Sequence, residues 1–297
     1  MACVLPKQGI PRHEILERMS GMRSSDVNWK ANRVFGLVYH YSDAHSELVQ
    51  SAYNMFMSAN GLNPMAFRSL QEMEHDVVRI SAALFHGNDS VVGTMTSGGT
   101  ESILLSVLAY RQWARSHRPW VRKPEIVVPE SAHAAFYKAG EYFDVNVVSV
   151  PLAGDFRADV GAIEKRINKR TIAIVGSAPC YPYGVIDPIE KIAALGIRHH
   201  VPVHVDACLG GFLLPFVEKL NSEDQLEPIA PFDFRVPGVT SISADLHKYG
   251  YAAKGASVIL YAGSEYLRHQ FTAATDWCGG IYASPTLAGT RPGGAIA

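Results

Sequence analysis

Cysteine is scarce in this sequence, and no apolar run is long. Its four cysteines, Cys3, Cys180, Cys208 and Cys278, stand far apart and form no CxxC pair. That excludes a disulfide framework and a cysteine-built structural zinc site, and it points to a reducing compartment. No apolar stretch approaches the ~18 residues of a membrane span. The opening residues, MACVLPKQGIPRHEIL, lack the basic start and apolar stretch of a signal peptide. A soluble cytoplasmic protein is the expectation. Charge of one sign is not in excess either, with 27 Lys+Arg against 28 Asp+Glu. The sequence therefore carries no nucleic-acid footprint, and charge gives no reason to expect a membrane partner. Internal repeats and low-complexity segments are absent. What remains is 297 residues, 47% hydrophobic and 19% charged, the composition of an ordinary globular protein. A chain of this length hides roughly 75% of its unfolded surface, enough for a large core in one or two domains.

The first 60 residues are aromatic and polar with mixed periodicity, and they read as an amino-terminal segment ahead of a large domain over 61–297. Residues 46–57 predict a helix, with Leu48, Val49, Ala52, Tyr53 and Phe56 at helical spacing. Pro64 biases Asn63 away from helix and ends that segment. A second amphipathic helix is expected over 67–85. From residue 91 onward helices (101–117, 132–142, 160–167, 188–199) alternate with short apolar strands (125–129, 146–150, 171–176, 201–205), and two more strands (240–243, 256–261) flank a polar loop. This rhythm predicts an α/β fold, a mostly parallel sheet with helices on both faces. The tail from 279 reads as loop.

In such sheets ligands bind beyond the carboxyl ends of the strands. Four stretches there carry chemistry. TSGGTES (96–102) precedes a helix; Gly98 and Gly99 allow an anion close to the helix-start amides, and Thr100 is a candidate N-cap. The alternative is a capped helix after a glycine turn. In SAHAAF (131–136), His133 is placed either to lie on an aromatic ligand or to cap a helix. In VPVHVDACLGGF (201–212), Asp206 either caps a turn or holds a ligand cation. His204 shares its strand face, and His199 and His200 nearby leave a weak metal reading. In SADLHKYG (243–250), Lys248 lies beside His247 between two apolar strands. Desolvated there, it would have a depressed pKa and be a candidate Schiff-base former; the alternative is a solvated loop lysine.

Together a phosphate cradle, a ring-stacking histidine, a buried aspartate and a buried lysine form the inventory that pyridoxal 5'-phosphate requires. The chain resembles the pyridoxal-phosphate-dependent decarboxylase superfamily, of the aspartate-aminotransferase-like fold type I, and within it the sphingosine-1-phosphate lyases. The resemblance is carried by TSGGTESILLSVLAYR, PESAHAAFYKA, GVIDPIEKIA, HVDACLGGFLLPF, PFDFRVPGVTSISADLHKYGYAAKG and TDWCGGIYASPTLAGTRPGG. The HVDAC and SADxHKYG pair belongs to the superfamily at large, and FDFRVPGVTSISAD is specific to the lyases.

The resemblance implies roles. Lys248 would carry the cofactor covalently, Asp206 would meet its ring nitrogen and His133 would stack on the ring. Ser97, Gly98, Gly99, Thr100 and His247 would hold its phosphate. Gly279 and Gly280 would lie in a loop reaching the partner subunit's cofactor in a homodimer. Tyr39, Asn63 and Lys254 would hold a substrate phosphate. The implied activity is cleavage of a phosphorylated sphingoid base into a long-chain aldehyde and phosphoethanolamine. An amino-acid α-decarboxylase with the same cofactor is the alternative, and a non-catalytic cofactor-binding protein a third reading. Two departures stand out: Ala66 occupies a position where the lyase pattern carries histidine, and the family's small carboxyl-terminal domain is expected to be missing from this chain. The lack of an amino-terminal span suggests the bacterial, soluble type.

Overall fold

The computed structural model describes residues 5, 7–31, 33–221 and 228–297; Cys3 lies outside them. The chain divides into two units, Met1–Tyr39 and His40–Ala297. In the first, α1 (Arg12–Arg23) starts after Pro11, which can open a helix because the first helical N–H groups have no intrahelical partner. A single 3-10 turn follows at Trp29–Ala31.

The second unit begins with two helices. α2 (Asp43–Met55) is capped by Ser42, whose hydroxyl accepts the His45 backbone N–H at 3.1 Å. α3 (Arg68–Leu84) buries Leu70, Val78 and Ala82 along one face. Both match the expected helices, with α2 starting three residues earlier because Ser42 caps it.

The alternation that follows is β1 (Val92–Thr96), α4 (Gly99–His117), β2 (Glu125–Pro129), α5 (Ala135–Phe143), β3 (Asn146–Val150), α6 (Val160–Arg166), β4 (Thr171–Ser177), α7 (Ile189–His199), β5 (Val203–Asp206), α8 (Leu214–Asn221), β6 (Val239–Ala244) and β7 (Ser257–Tyr261). The seven strands form one sheet in the order β1-β7-β6-β5-β4-β2-β3. β7 runs antiparallel to both of its neighbours, and the remaining pairs are parallel. β4 is buried along its whole length, which is why it reads as an apolar run.

Strand alternation divides the core between the two faces. Ile126, Val128, Ala173, Val175, Ile259 and Tyr261 pack with α4 and α5. Val127, Ile174 and Val203 pack with α6 and α7, and Ile242, Val258 and Leu260 with α3 and α8. The tail departs from the expected loop. After the short α9 (Ser264–Leu267), β8 (Thr272–Ala274) and β9 (Tyr282–Ser284) pair as an antiparallel hairpin, and α10 (Gly293–Ile296) closes the unit. α10 packs tightly enough that a Cβ on Gly294 would sit 2.7 Å from the Tyr53 carbonyl oxygen. Among the described residues no helix is long and apolar enough to cross a membrane.

Candidate active site

Topology alone gathers the four singled-out stretches. β1 is antiparallel to β7, and β7 to β6, so β1, β2, β5 and β6 all point the same way. The residues at or after their carboxyl ends, Ser97–Gly99, Ser131–His133, Asp206–Cys208 and Asp245–Lys248, therefore share one edge of the sheet. The turn from β6 into β7 carries Lys248 back toward β1, since Ser257 at the start of β7 pairs with Thr96 at the end of β1.

Lys248 Nζ lies 3.0 Å from Asp245 Oδ2, a carboxylate almost fully buried. Burial pulls the ammonium pKa down, but Asp245, helped by Cys208 and Asp206, outweighs it, and the net shift is upward. The depressed pKa expected of a desolvated lysine is thus corrected by an aspartate three residues earlier. His247 Nε2 stands 3.6 Å from the same Asp245 oxygen. Burial lowers its pKa, and Lys254 and Lys248 lower it further against the pull of Asp245. Lys254 Nζ donates to the His247 carbonyl at 2.9 Å. Desolvation and the Lys248 charge both push its pKa down, which places the two ammonium groups in one electrostatic neighbourhood.

The glycine turn sits over this cluster. Gly98 has φ 153° and is the N-cap of α4, with no side-chain cap. Thr100 is therefore not the N-cap but lies in the first turn; the helix begins two residues sooner because Gly98 accepts a backbone conformation Thr cannot. Glu101 reaches back to the Ser97 N–H at 2.7 Å and fixes the turn. A Cβ at Gly99 would meet the Asp245 carboxyl oxygens at 2.7 and 2.9 Å and Cys208 Sγ at 2.8 Å, and one at Gly98 would touch the His247 ring at 3.4 Å. The start of a 19-residue helix is thus seated directly on Asp245 and His247, with first-turn amides that have no partner inside the helix. Gly99→Ala is expected to cost about 1–3 kcal/mol of overpacking. Concentrated at the cradle, that weakens cofactor binding by about ten- to a hundredfold, measurable by fluorescence titration.

Asp206, the last residue of β5, is buried. Its Oδ1 accepts the Cys208 backbone N–H at 3.1 Å and faces the Ser243 hydroxyl at 3.4 Å. Ser243 also lies 3.2 Å from His204 Nε2, and His204 Nδ1 lies 2.7 Å from Ser241 Oγ. Both ring nitrogens of His204 are occupied inside the sheet. His199 and His200, at the end of α7, lie at the surface. The four residues of the metal reading are not brought together, and among the described residues no cluster of three or more such side chains could hold a metal. Burial lowers the His204 pKa to about 4 against the opposing pull of Asp206. Because the unfolded histidine takes up a proton near pH 6.5 and the folded one does not, stability falls as pH drops through the window from 6.5 toward 4. Between pH 6.5 and 5 urea unfolding should show the native protein losing roughly 1.5 kcal/mol more than His204→Gln.

The other sequence candidates are more peripheral. His133 precedes α5 with an exposed ring whose Nδ1 accepts the Ala135 N–H at 3.1 Å. Gly279 and Gly280 lie in the exposed connection of the β8–β9 hairpin, where Gly280 has φ 105°. Asn63 uses Oδ1 to accept the Met65 and Ala66 N–H groups at 3.0 and 3.2 Å. Its turn is anchored by Arg291, which donates to the Gly61 carbonyl and pairs with Glu74. Tyr39 is the last residue of the first unit. Sequence reasoning gave no role to Asp245, Cys208, Ser241 or Ser243. The signal for the serines was present, since Ser241-x-Ser243 repeats the spacing of His204-x-Asp206, and residues two apart share a strand face.

Residues 28–280 match the family model described as the pyridoxal-dependent decarboxylase conserved domain. The chain belongs to the pyridoxal-dependent decarboxylase family. It is 48% identical over 295 residues to a sphingosine-1-phosphate lyase of Drosophila melanogaster, covering 99% of this chain and 53% of the relative. A solved sphingosine-1-phosphate lyase of Burkholderia pseudomallei superposes with a TM-score of 0.94 at 39% identity, covering 100% of this chain and 69% of that one. A glutamate decarboxylase of Lactobacillus brevis has the same fold, with a TM-score of 0.83 at 22% identity, covering 100% of this chain and 68% of that one. The chain spans about half the length of the fly relative.

Family membership implies pyridoxal 5'-phosphate, and the residues present fit it. The cofactor needs an anion cradle, an amine and a carboxylate for its ring nitrogen. The cradle is the most demanding of these, and here it takes a φ open to glycine at Gly98 and a position with no room for a side chain at Gly99. Lys248 and Asp206 place an amine and a carboxylate on the same sheet edge.

Proposed function

We propose that the full protein cleaves a phosphorylated sphingoid base into a long-chain aldehyde and phosphoethanolamine. The observation that carries this reading is the 48% identity to a sphingosine-1-phosphate lyase across nearly the whole chain. The Lys248–Asp245 pair and the glycine cradle at the start of α4 support it from the geometry. Bound in this site, the cofactor supplies the electron sink for breaking the carbon–carbon bond beside the substrate amine.

The chain's own residues do the rest. The amides of Gly98, Gly99 and Thr100, with Ser97 and His247, hold the cofactor phosphate at the positive end of α4. Asp206 would present a carboxylate to the cofactor's ring nitrogen, and His133 would pack beside its ring. Lys248 attaches the cofactor. Asp245 keeps the free ammonium protonated, so attachment requires that proton to leave Nζ first. Freed of the cofactor, Lys248 would hold or give up a proton beside the reacting carbon. Asn63 and Lys254 receive the substrate phosphate. Asn63 keeps its amide N–H₂ for that task, its carbonyl oxygen being committed to its own turn. The protein works as a homodimer in the cytoplasm, with Gly279 and Gly280 near the partner's cofactor. The exposed position of the β8–β9 connection suits that placement.

Product analysis tests the proposal. The full protein, loaded with cofactor and mixed with sphinganine 1-phosphate, should yield phosphoethanolamine and a long-chain aldehyde by mass spectrometry. A loaded protein that leaves this substrate intact would overturn the reading, and carbon dioxide release from amino acids would replace it with the decarboxylase.

A further inference from the structure

β1 is an edge strand of the seven-stranded sheet, so every other amide along it points outward, away from β7. Side chains from elsewhere in the chain close that edge. Glu74 of α3 accepts the Met95 N–H at 3.1 Å and pairs with Arg291. Two residues on, Glu101 accepts the Ser97 N–H at 2.7 Å through Oε2. Gln270 donates to Thr94 Oγ1 at 2.8 Å and to the Pro285 carbonyl. Each of these side chains also holds the segment that leaves the β8–β9 hairpin, at Arg291, Leu287 and Pro285 respectively. Glu101 does so through Oε1, which accepts the Leu287 N–H at 2.9 Å.

Glu101 differs from the other two because its near end is the cradle itself. Ser97 leads directly into Gly98, and its N–H is committed to Glu101, which leaves Ser97 its hydroxyl for a cofactor phosphate. An acidic side chain in the first turn of α4 has a plain reading as a helix cap. A cap spends its oxygen on its own turn. Here the second oxygen is spent on an amide 186 residues away, and the side chain is buried between the two segments. The far end is stiff as well: Thr286 Oγ1 donates to the Ala288 carbonyl at 2.8 Å, and Gln270 closes the root of the hairpin at Pro285. Displacement of Ser97 is therefore passed to the tail through one carboxylate.

We propose that Glu101 is a strap that couples occupancy of the glycine cradle to the order of the hairpin tail over 285–291. The inference rests on the proposed cofactor site. Glu101 is a positioning residue, acting through the turn that carries the Gly98 and Gly99 amides. An anion seated on those amides fixes Ser97, and Ser97 fixes Leu287 through Glu101. Such coupling is reciprocal, so an ordered tail tightens the cradle by the same factor. In the proposed homodimer the strap links loading of one subunit to the arm that serves the other.

The test uses the full protein and pyridoxal 5'-phosphate. Glu101→Gln keeps the shape of the side chain but has one acceptor oxygen in place of two, so it can hold Ser97 or Leu287 but not both. Loading the native protein should slow amide hydrogen exchange in the 285–291 peptide by about threefold or more. Glu101→Gln should bind the cofactor about tenfold more weakly and lose that response even when saturated. Ile163→Val, in the core beneath α6, should lower the melting temperature and leave both readouts as in the native protein. A 285–291 peptide indifferent to loading of the native protein would overturn the strap. So would a cofactor affinity in Glu101→Gln within about twofold of native. Equal weakening in Ile163→Val would reduce Glu101 to a structural role and overturn it as well. A native protein that binds no pyridoxal 5'-phosphate would instead overturn the cofactor site on which the strap rests.

Discussion

Lys248→Ala is expected to lose turnover by on the order of 10⁴-fold or more while still binding pyridoxal 5'-phosphate noncovalently. The two outcomes separate because the groups proposed to hold the cofactor differ from the group proposed to attach it. The cradle at Gly98–Thr100, with His247 against it, remains when the amine is removed. The buried Asp245 then loses its ion-pair partner 3.0 Å away. A buried unpaired charge costs several kcal/mol, so the variant should also melt at a lower temperature. Asp245→Asn in the same background should recover much of that stability without recovering activity. Spectral titration and single-turnover assays read the two effects independently. Appreciable turnover in Lys248→Ala would move the covalent role elsewhere, with Lys254 the first alternative.

Asp206→Asn should lower turnover by on the order of 10²–10³-fold with cofactor affinity changed much less. Asparagine is nearly isosteric and can keep accepting the Cys208 N–H at Oδ1, so packing survives. What disappears is the negative charge proposed to stabilise a protonated ring nitrogen. The comparison with Asp206→Ala is informative, because alanine also strands the Cys208 amide as a buried donor. If Asn and Ala lose turnover equally and affinity falls with it, Asp206 contributes packing. An unchanged rate in Asp206→Asn would remove its electronic role altogether.

The large domain was legible because its strands and helices announce themselves by different periods. Residues 171–176 read as a strand and lie in β4, buried along its whole length, and Leu70, Val78 and Ala82 mark the covered face of α3. The hairpin of Thr272–Ala274 and Tyr282–Ser284 was not legible, since strands of three mostly exposed residues leave no alternation to detect. The site shows the same division. Gly98, Asp206 and Lys248 stand at strand ends and could be picked out one by one. The sign of the Lys248 shift could not, because it depends on whether Asp245 turns toward the amine, which only the β6–β7 connection decides. The alignment of His204 with Ser241 was likewise hidden, because the register between β5 and β6 is set by pairing residues 37 positions apart in the chain. Thr100 shows the local limit: threonine caps well, yet the N-cap here is Gly98, whose φ of 153° suits glycine.

The measurement that bears most directly on the account is where the cofactor attaches. The full protein would be incubated with pyridoxal 5'-phosphate, reduced with borohydride, digested, and mapped by mass spectrometry. The account predicts a single labelled peptide, with the added cofactor on Lys248. A label on Lys254 or any other lysine in place of Lys248, or no stable label at all, would contradict it.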